Sequence, residues 1–461
     1  MSDIWRLGAG ELAAKIAARE LSAVDVMRAT LARIDAVNGA VNAVVSLQDR
    51  ELLMGAARVA DAMAPVGPLH GVPMAVKDLV ELKGIASTSG APFLADHVPG
   101  ADAGLARRLR AAGAILIGKT NVPMFGLGSH SKNPIFGVTR NPHDLSLSAG
   151  GSSGGAAVAL ATGMVSLADG SDAMGSLRNP AAWNDVFGFR PSFGLVPDDL
   201  DRAPIRHRLS TDGPMARSVG DLELLLGVLS DGAYQPLQDE LGPPRVGWLG
   251  NWGGVYPMEA GLMDMAACAL ATMSDIGWQL DEMRPPFSAE ALWQGWTDLR
   301  SFKVAIEKAP LWRDDATRAH LNKQIIWEIE RGLSLSVEQI ERAAAIQQDW
   351  LAKVDEIFEL VDLLVLPATQ VWPFPLDWDW PTEIAGQEMD TYHRWMEVMV
   401  PASLGGLPAI CVPAGFGENS LPAGVQIIGK PGSDAQVLAW AKAYEAAIGP
   451  RAIVEMPGGA V

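Results

Sequence analysis

The sequence predicts an α/β protein in which a large mixed, mainly parallel β-sheet is sandwiched between helices. An apolar strand at 74–76 comes before a helix over 102–112, and a second strand follows at 114–118. Because strand–helix–strand order favours parallel pairing with the helix on one face, this stretch predicts the first part of the sheet. Two further apolar strands, at 409–412 and 425–428, come before a C-terminal helix and complete the sheet.

Three further helices are predicted before the middle of the chain. Residues 2–36 hold two of them, and the second begins at Ser22 with Asp25 three residues on, as in a capping box. The third covers the alanine-rich stretch 156–162, which follows a run of glycines. Its N-terminus is expected at the turn around Ser152, where the helix dipole favours negative charge.

After about residue 235 the pattern changes. A strand in the stretch 243–248 is followed by long helical patterns, one of them capped by Ser336 with Gln339. Another strand is predicted at 363–367.

The stretch 371–380 is rich in tryptophan and proline. Prolines exclude a helix or a central strand, so a loop is predicted here. Its Trp372 and Trp378 are candidates for the wall of a substrate pocket, and packing in the core is the alternative interpretation.

The 461 residues are expected to form one domain, 1–461, because α/β folds often run long as a single unit. Within it we distinguish an N-terminal helical segment (1–70) and a catalytic core (71–235). A variable, largely helical and tryptophan-rich pocket region (236–400) and a C-terminal segment of strands and helix (401–461) follow.

Charge and composition exclude several functions. With 36 Lys and Arg against 54 Asp and Glu, the net charge is −18, which repels phosphate backbones and anionic lipid surfaces. We therefore expect no nucleic-acid partner and no membrane partner. No apolar run of about 20 residues and no signal-peptide core are found, so a cytoplasmic monomer or homodimer is expected.

Neither the cysteines nor the histidines indicate a metal or a cofactor. Cys268 and Cys411 lie in apolar contexts and are expected to be buried, reduced side chains rather than a disulfide. The seven histidines show no metal-like spacing, and two of them, His130 and His143, lie in predicted loops close to the candidate site.

Two serines lie in glycine-rich settings, Ser152 in the run 150–155 and Ser176 directly after Gly175. Glycine allows tight turns and close approach of a substrate to the backbone. A nucleophile and an oxyanion site would be built at such positions.

The run around Ser152 also matches the nucleophile elbow of α/β-hydrolases. An elbow follows a buried strand, whereas residues 139–148 have the pattern of a polar loop with a proline. The acid and histidine of such an enzyme would be Asp362 and His393, and neither carries a local signal. The pattern therefore favours another arrangement.

Lys77 ends the first short apolar strand, which is an unusual position for lysine. Burial there lowers a lysine pKa, because a low dielectric disfavours the charged form. Consecutive strand residues face opposite sides, so Asp78 is expected to point away.

Together, the lysine segment 71–78, the glycine–serine run 150–155 and the segment 170–178 resemble the amidase signature family. The 24-residue spacing between Ser152 and Ser176 is also similar to that of the family. The resemblance covers most of the chain and is weakest over 240–400. Further segments that resemble the family lie at 21–25, 113–121, 136–142, 187–192, 404–413 and 424–429.

The resemblance implies a Ser-Ser-Lys triad with a cis bond between Gly151 and Ser152. Ser176 attacks, Ser152 relays its proton, and Lys77 is the final base and later the acid. It further implies an oxyanion hole made by the backbone N–H groups of Ala173, Met174, Gly175 and Ser176.

Neighbouring residues are expected to support the triad. Asp172 and Arg178 bracket the oxyanion loop and are expected to hold its shape, with a surface ion pair as the alternative. Ser153 is expected to join the network. The family usually has glycine where Met174 stands, and methionine does not readily adopt φ > 0, so its side chain is expected to reach toward the substrate.

Met174, Met124 and Phe125 are further candidates for binding the substrate. The resemblance implies a hydrolase that cleaves the C–N bond of a neutral small-molecule amide, with esters and carbamates open to the same acyl-enzyme chemistry. The alternative is the ammonia-generating subunit of a glutamyl-tRNA amidotransferase, which the tryptophan-rich stretch 371–380 fits poorly. A binding scaffold without catalysis is the third possibility, and the presence of all three triad residues disfavours it.

Overall fold

Eleven strands form one central sheet in the computed structural model, which describes residues 3–197 and 208–456. The predicted large mixed sheet between helices is confirmed. In chain order the described strands are β1 (Val44–Val45), β2 (Pro73–Lys77), β3 (Ile115–Thr120), β4 (Lys132–Asn133), β5 (Gly137–Val138), β6 (Leu167–Asp172), β7 (Phe187–Arg190), β8 (Thr211–Ala216), β9 (Arg245–Trp248), β10 (Gln279–Glu282), β11 (Leu363–Pro367), β12 (Glu383–Ile384), β13 (Gln387–Glu388), β14 (Ala409–Phe416) and β15 (Pro422–Ile428).

The order of strands across the central sheet is β1-β3-β2-β6-β8-β7-β14-β15-β11-β9-β10. Parallel pairs join β2 to β3 and β6, and join β9 to β10 and β11. All other neighbouring pairs in this sheet are antiparallel. The predicted parallel pairing therefore occurs in two groups on either side of an antiparallel centre. At the centre, β14 and β15 are joined by a short turn, which connects only antiparallel strands.

Helices cover both faces of this sheet. In chain order they are α1 (Ala9–Ala17), α2 (Ala23–Val41), α3 (Arg50–Ala62), α4 (Gly104–Ala111), α5 (Gly154–Ala161), α6 (Arg178–Trp183), α7 (Val219–Leu229), α8 (Leu262–Asp275), α9 (Ala289–Arg313), α10 (Asp315–Arg318), α11 (Lys323–Ser334), α12 (Val337–Leu360), α13 (Val400–Gly405) and α14 (Asp434–Ile448).

Side chains of the central strands alternate between two hydrophobic clusters, one on each face of the sheet. In β2, Ala75 belongs to the cluster that contains α5 and α9, whereas Met74 and Val76 belong to the cluster that contains α7 and α14. Because strand side chains alternate with a period of two, Lys77 points to the same face as Ala75. The fold thus directs the lysine toward the start of α5.

Both predicted helix caps are present. The Ser22 hydroxyl accepts a hydrogen bond from the N–H of Asp25 at 2.9 Å. Ser336 and Gln339 form a complete capping box, in which each side chain accepts from the other residue's backbone N–H. These caps satisfy N–H groups that a helix start otherwise leaves without partners.

The expectation for the cysteines is correct for one of them. Cys411 is buried in β14, whereas Cys268 is exposed, because its position on α8 faces away from the sheet. Both are free thiols. Within the described ranges, no helix is both apolar enough and long enough to span a bilayer.

A glycine sets the distance between α9 and α11. A Cβ at Gly332 of α11 would lie 2.0 Å from the backbone oxygen of Ser301 in α9. By contrast, a Cβ at Gly227 of α7 would have no heavy atom within 4 Å. Alanine at Gly332 therefore tests packing together with helix propensity, whereas alanine at Gly227 tests helix propensity alone.

We predict that Gly332→Ala lowers the free energy of unfolding by about 1–3 kcal/mol, because the added methyl group forces α11 away from α9. Gly227→Ala is expected to raise it by about 0.5–1 kcal/mol, since alanine favours the helix. Urea unfolding followed by circular dichroism measures both. Equal effects of the two substitutions would show that the close contact at Gly332 is not a constraint.

Candidate active site

The Lys77 nitrogen lies among three serine hydroxyls. Its Nζ is 2.9 Å from Ser152 Oγ, 2.8 Å from Ser153 Oγ and 2.9 Å from Ser171 Oγ. The side chain of Lys77 is only 1% exposed. The structure thus brings Lys77, Ser152 and Ser153 together as predicted, and it adds Ser171, which the sequence analysis missed.

The glycine run allows Ser152 and Ser153 to approach the lysine. The bond between Gly151 and Ser152 is cis, as the family resemblance implies. A Cβ at Gly155 would lie 2.3 Å from the backbone nitrogen of Asn121, so only glycine fits where α5 starts against the end of β3. This close approach places the two serines beside the end of β2.

Burial changes the protonation of Lys77. Removal from water lowers its pKa to about 8, and the more distant carboxylates of Asp169, Asp212 and Asp172 oppose that shift. The backbone oxygen of Ser171 is a fourth neighbour of this nitrogen at 3.4 Å, and none of the four hydrogen-bond partners is a carboxylate. Near neutral pH the lysine can therefore act as a base.

Asp78 lies on the opposite side of the strand, as predicted from strand alternation. Its carboxylate accepts hydrogen bonds from the N–H of Thr88 at 3.0 Å and from the Thr88 hydroxyl. The nearest cation is Lys119, whose Nζ is 4.0 Å away. This second buried lysine also has its pKa lowered to about 8 by burial.

Ser176 lies on the wall of a cavity of about 160 Å³, which Ser152 also lines. Ser176 is 9% exposed and Ser152 is 2% exposed, so Ser176 is the more accessible hydroxyl. Within the described ranges, no hydrogen bond joins the two hydroxyls. The predicted relay therefore needs a change that brings these two hydroxyls into contact.

The loop from Ala173 to Ser176 fits the predicted oxyanion hole except at Gly175. The N–H of Gly175 donates to Asp172 Oδ1 at 2.7 Å and so is not available to an oxyanion, because the loop turns this group back toward the carboxylate. The N–H groups of Ala173, Met174 and Ser176 make no hydrogen bond within the part of the chain that the structure describes. These three remain the predicted donors.

Asp172 is held by two arginines rather than one. Arg178 donates to both carboxylate oxygens at 3.0 Å, and Arg190 donates to Oδ1 at 3.1 Å. All three side chains are 0% exposed, so the alternative of a surface ion pair is wrong. Burial alone raises the pKa of Asp172, but the two arginines outweigh it and hold that pKa well below its usual range. The sequence analysis missed Arg190.

Helix α9 supplies much of the cavity wall. Trp296, Arg300, Lys303, Val304 and Glu307 share one face of this helix and line the cavity. The Trp296 indole N–H donates to the backbone oxygen of Ala173 at 3.1 Å, which ties α9 to the oxyanion loop. In the sequence these five residues are spaced at i, i+4, i+7, i+8 and i+11, which is typical of one face of a helix. The spacing does not indicate what this face contacts.

Two of the five residues predicted to bind substrate line the cavity, namely Phe125 and Met174. Met124 is 1% exposed and packs in a hydrophobic cluster beneath Phe125. The predictions for Trp372 and Trp378 are wrong, since neither lines the cavity. Trp372 donates from its indole to Ala260, and Trp378 stacks on Phe374. Prolines make this segment a loop, but the loop packs elsewhere.

Met174 does not need the backbone freedom of glycine. It is absent from the non-glycine residues with positive φ in the described chain. Its side chain is 3% exposed and lies on the cavity wall beside Ala173, as the sequence analysis expected.

None of the candidate histidines can serve Ser152 as the base of an elbow-type triad. His130 lies 2.8 Å from Ser148 and 3.2 Å from the backbone oxygen of Leu376, and burial lowers its pKa to about 4. The pKa of His143 is likewise lowered to about 4 by burial. Asp362 pairs with Arg245 and not with His393, so the elbow arrangement is not formed.

The chain belongs to the amidase signature family of hydrolases. The family model described as Amidase matches residues 25–438. Relatives of the chain include an acylamidase as well as components of amidotransferases, so the family alone leaves the substrate open.

Known proteins resemble the chain over nearly its full length. An acylamidase of Rhodococcus erythropolis is 32% identical over 462 residues, which cover 95% of each chain. The A-type component of the glutamyl-tRNA(Gln) amidotransferase of Salinispora arenicola is 32% identical over 498 residues, 98% of this chain and 99% of that protein. The crystal structure of a bacterial aryl acylamidase superposes with a TM-score of 0.87 at 28% identity, covering 96% of both chains.

We predict that Asp172→Asn lowers the free energy of unfolding by about 3–5 kcal/mol, because it leaves two buried guanidinium groups uncompensated. Hydrolysis is expected to fall as well, since the oxyanion loop loses its anchor. Asp362→Asn breaks the exposed pair with Arg245 and is the matched control, with little effect expected. Thermal unfolding and activity of both variants are measured, and equal stability losses would contradict the role of the buried cluster.

Proposed function

We propose that this protein is a serine hydrolase that cleaves the C–N bond of a neutral small-molecule amide through an acyl-enzyme on Ser176. The single observation that carries the proposal is the 2.9 Å contact between the buried Lys77 nitrogen and Ser152 Oγ, beside a cavity that Ser176 also lines. Lys119 is also buried at a strand end with a pKa lowered to about 8, but it binds the backbone oxygen of Val80, whereas the Lys77 nitrogen contacts serine hydroxyls beside the cavity.

The proposed first step is acylation. Neutral Lys77 takes the proton of Ser152, and Ser152 takes the proton of Ser176 once the two hydroxyls are in contact. Ser176 Oγ attacks the substrate carbonyl, whose oxygen becomes an anion held by N–H groups of the 173–176 loop. The proton returns from Lys77 to the departing amine, and the acyl group stays on Ser176.

The second step is hydrolysis of the acyl-enzyme. A water molecule gives its proton to the same relay and attacks the acyl carbonyl, which releases the acid and restores Ser176. Esters and carbamates present the same type of carbonyl to Ser176, so the mechanism extends to them.

The charges around the cavity favour a neutral substrate. Its two cationic wall residues are each beside a carboxylate, Arg300 with Glu328 and Lys303 with Glu307. A free carboxylate or ammonium in the substrate would meet no unbalanced partner there.

The second candidate is the A-type, ammonia-generating component of a glutamyl-tRNA amidotransferase. The specific observation in its favour is the equal identity to the Salinispora arenicola protein. Glutamine carries both an ammonium and a carboxylate, and the balanced wall described above does not favour them. Glutaminase activity, or partner subunits that co-purify with the chain, would favour this candidate.

The remaining parts of the proposal concern the setting of the enzyme. We propose a cytoplasmic enzyme, monomeric or homodimeric, that acts on a small molecule without a cofactor. Light scattering of the purified protein gives the oligomeric state directly.

We predict that Ser176→Ala lowers kcat for p-nitroanilides or p-nitrophenyl esters by about 10³-fold or more, because the acyl-enzyme cannot form. A sulfonyl fluoride is expected to label Ser176, as located by peptide mass. The control is Ser166→Ala, which removes a buried hydroxyl that has no hydrogen-bond partner in the described chain and does not line the cavity. Parent-like turnover by Ser176→Ala would overturn the assignment.

We also predict an acid limb in kcat/KM that is governed by Lys77. Its pKa is lowered to about 8, so the active, neutral form is lost as the pH falls through this value. Below that pH the rate is expected to fall about tenfold per unit.

The matched control for this pH profile is Lys119→Gln, because Lys119 has a similarly lowered pKa on the opposite face of the sheet. The acid limb is expected to remain in this variant. A profile that is flat from pH 9 to pH 5 in the parent, or a limb that disappears in Lys119→Gln, would refute the role of Lys77.

A further inference from the structure

The cavity wall formed by α9 changes from apolar to charged along the helix. Exposure rises in the same direction, from 0% for Trp296 to 11% for Arg300, 27% for Lys303 and 32% for Glu307. Trp296 contacts the oxyanion loop through Ala173, so this end of the wall is next to the reacting carbonyl. The helix therefore runs from the inner end of the cavity to its mouth.

The helix also gives the spacing between these groups. With a rise of 1.5 Å per residue, Arg300 lies about 6 Å along the axis from Trp296, and Glu307 about 16 Å. Arg300 is thus the first charged group that a substrate meets beyond the reacting carbonyl.

Arg300 is held in place by a buried network. Its Nε donates to Glu328 Oε1 at 2.5 Å, and its Nη2 donates to the Tyr392 hydroxyl at 3.1 Å. Glu328 also accepts from Tyr392 at 2.7 Å and from Ser301 at 2.7 Å. These bonds fix the plane of the guanidinium group before any ligand binds.

One nitrogen of Arg300 has no partner among the described residues. This Nη1 makes no hydrogen bond there, while the side chain lines the cavity. His393 also lines the cavity, but its Nε2 is buried and lies 3.7 Å from Glu328 Oε1, so this nitrogen faces the carboxylate. The Nη1 group of Arg300 is therefore the donor of this network that is left for a ligand.

The charges indicate which kind of group fits. Glu328 balances Arg300, and burial lowers the pKa of His393 to about 3, so the imidazole is neutral. A carboxylate of the ligand at this position would lie near Glu328, which repels it. A neutral oxygen acceptor can take the free N–H of Arg300 without adding a charge.

We propose that Arg300 is a specificity-determining residue that binds a neutral hydrogen-bond acceptor of the substrate, such as a ketone, ether or amide oxygen. This acceptor lies about 6 Å from the reacting carbonyl, one turn of α9 further toward the mouth. The proposal rests on the proposed hydrolase function and adds the class of substrate to it.

The test uses three p-nitroanilides of similar shape, those of 5-oxohexanoic, 5-methylhexanoic and glutaric acid. They place a ketone, a methyl group or a carboxylate at the same position of the acyl chain. The parent is expected to prefer the ketone over the methyl compound roughly ten- to hundredfold in kcat/KM, and to disfavour the carboxylate. A second series with the same three groups on the amine side covers the opposite orientation of the substrate.

The variant is Arg300→Met combined with Glu328→Gln, which removes both charges and leaves no buried carboxylate unpaired. The ketone preference is expected to disappear in it. Arg331→Met combined with Asp298→Asn is the matched control, because Arg331 and Asp298 form another ion pair between α11 and α9 that does not line the cavity. In this control the ketone preference is expected to remain.

Binding separates failure of this proposal from failure of the proposed function. Equilibrium binding of the uncleaved anilides to Ser176→Ala gives the same comparison without catalysis. If the parent hydrolyses none of the anilides but Ser176→Ala binds the ketone compound more tightly than the methyl compound, the proposed hydrolase function is refuted. Recognition of a neutral acceptor by Arg300 is then still supported. Three results would overturn the proposed role of Arg300. They are equal binding of the ketone and methyl compounds in both series, a preference for the carboxylate compound, and a ketone preference that remains in the double variant Arg300→Met with Glu328→Gln.

Discussion

The structure depends on lowering the pKa of one amine inside the protein. Transfer of an ammonium group from water into a low-dielectric interior is costly unless it is paired, so the group tends to lose its proton instead. Lys77 has no carboxylate among its hydrogen-bond partners in the described chain, and three hydroxyls take the place of water around it. These hydroxyls come from the start of α5 and the end of β6, so both elements must meet the end of β2.

The buried carboxylate next to Ser171 is stabilised in its charged form, in contrast to the buried amine of Lys77. Asp172 ends the same strand, β6, that supplies Ser171, and it keeps its charge because Arg178 and Arg190 surround it. These ion pairs, together with the N–H of Gly175, tie the 173–176 loop to the end of β6. The end of β6 therefore provides both a hydroxyl beside Lys77 and the carboxylate that anchors the loop proposed to bind the oxyanion.

Local patterns were sufficient to predict the elements that have a periodic or capped sequence. Strand alternation separated Lys77 from Asp78. The glycine run indicated tight turns at Ser152, and the family resemblance implied that Ser152 acts together with the lysine. Arg190 and Ser171 were missed because their roles depend on contacts between strands that are distant in sequence. Trp372 shows the converse error: prolines predict a loop correctly, but they do not predict which surface the loop covers.

The machinery and the wall of the site come from different parts of the chain. Lys77, Ser152 and Ser176 lie on the core of the sheet, whereas Trp296, Arg300 and Glu307 lie on α9, within the region where the family resemblance is weakest. Relatives with two different named activities are each 32% identical to this chain, so overall identity does not distinguish between them. Under the proposed function, the α9 face contributes to the choice of substrate, because it lies beside the parts of the substrate that do not react. The rest of the cavity lining, which includes Phe125, Leu209 and Met396, comes from other segments, so substrates can be distinguished by changes around the cavity that leave the buried lysine where it is.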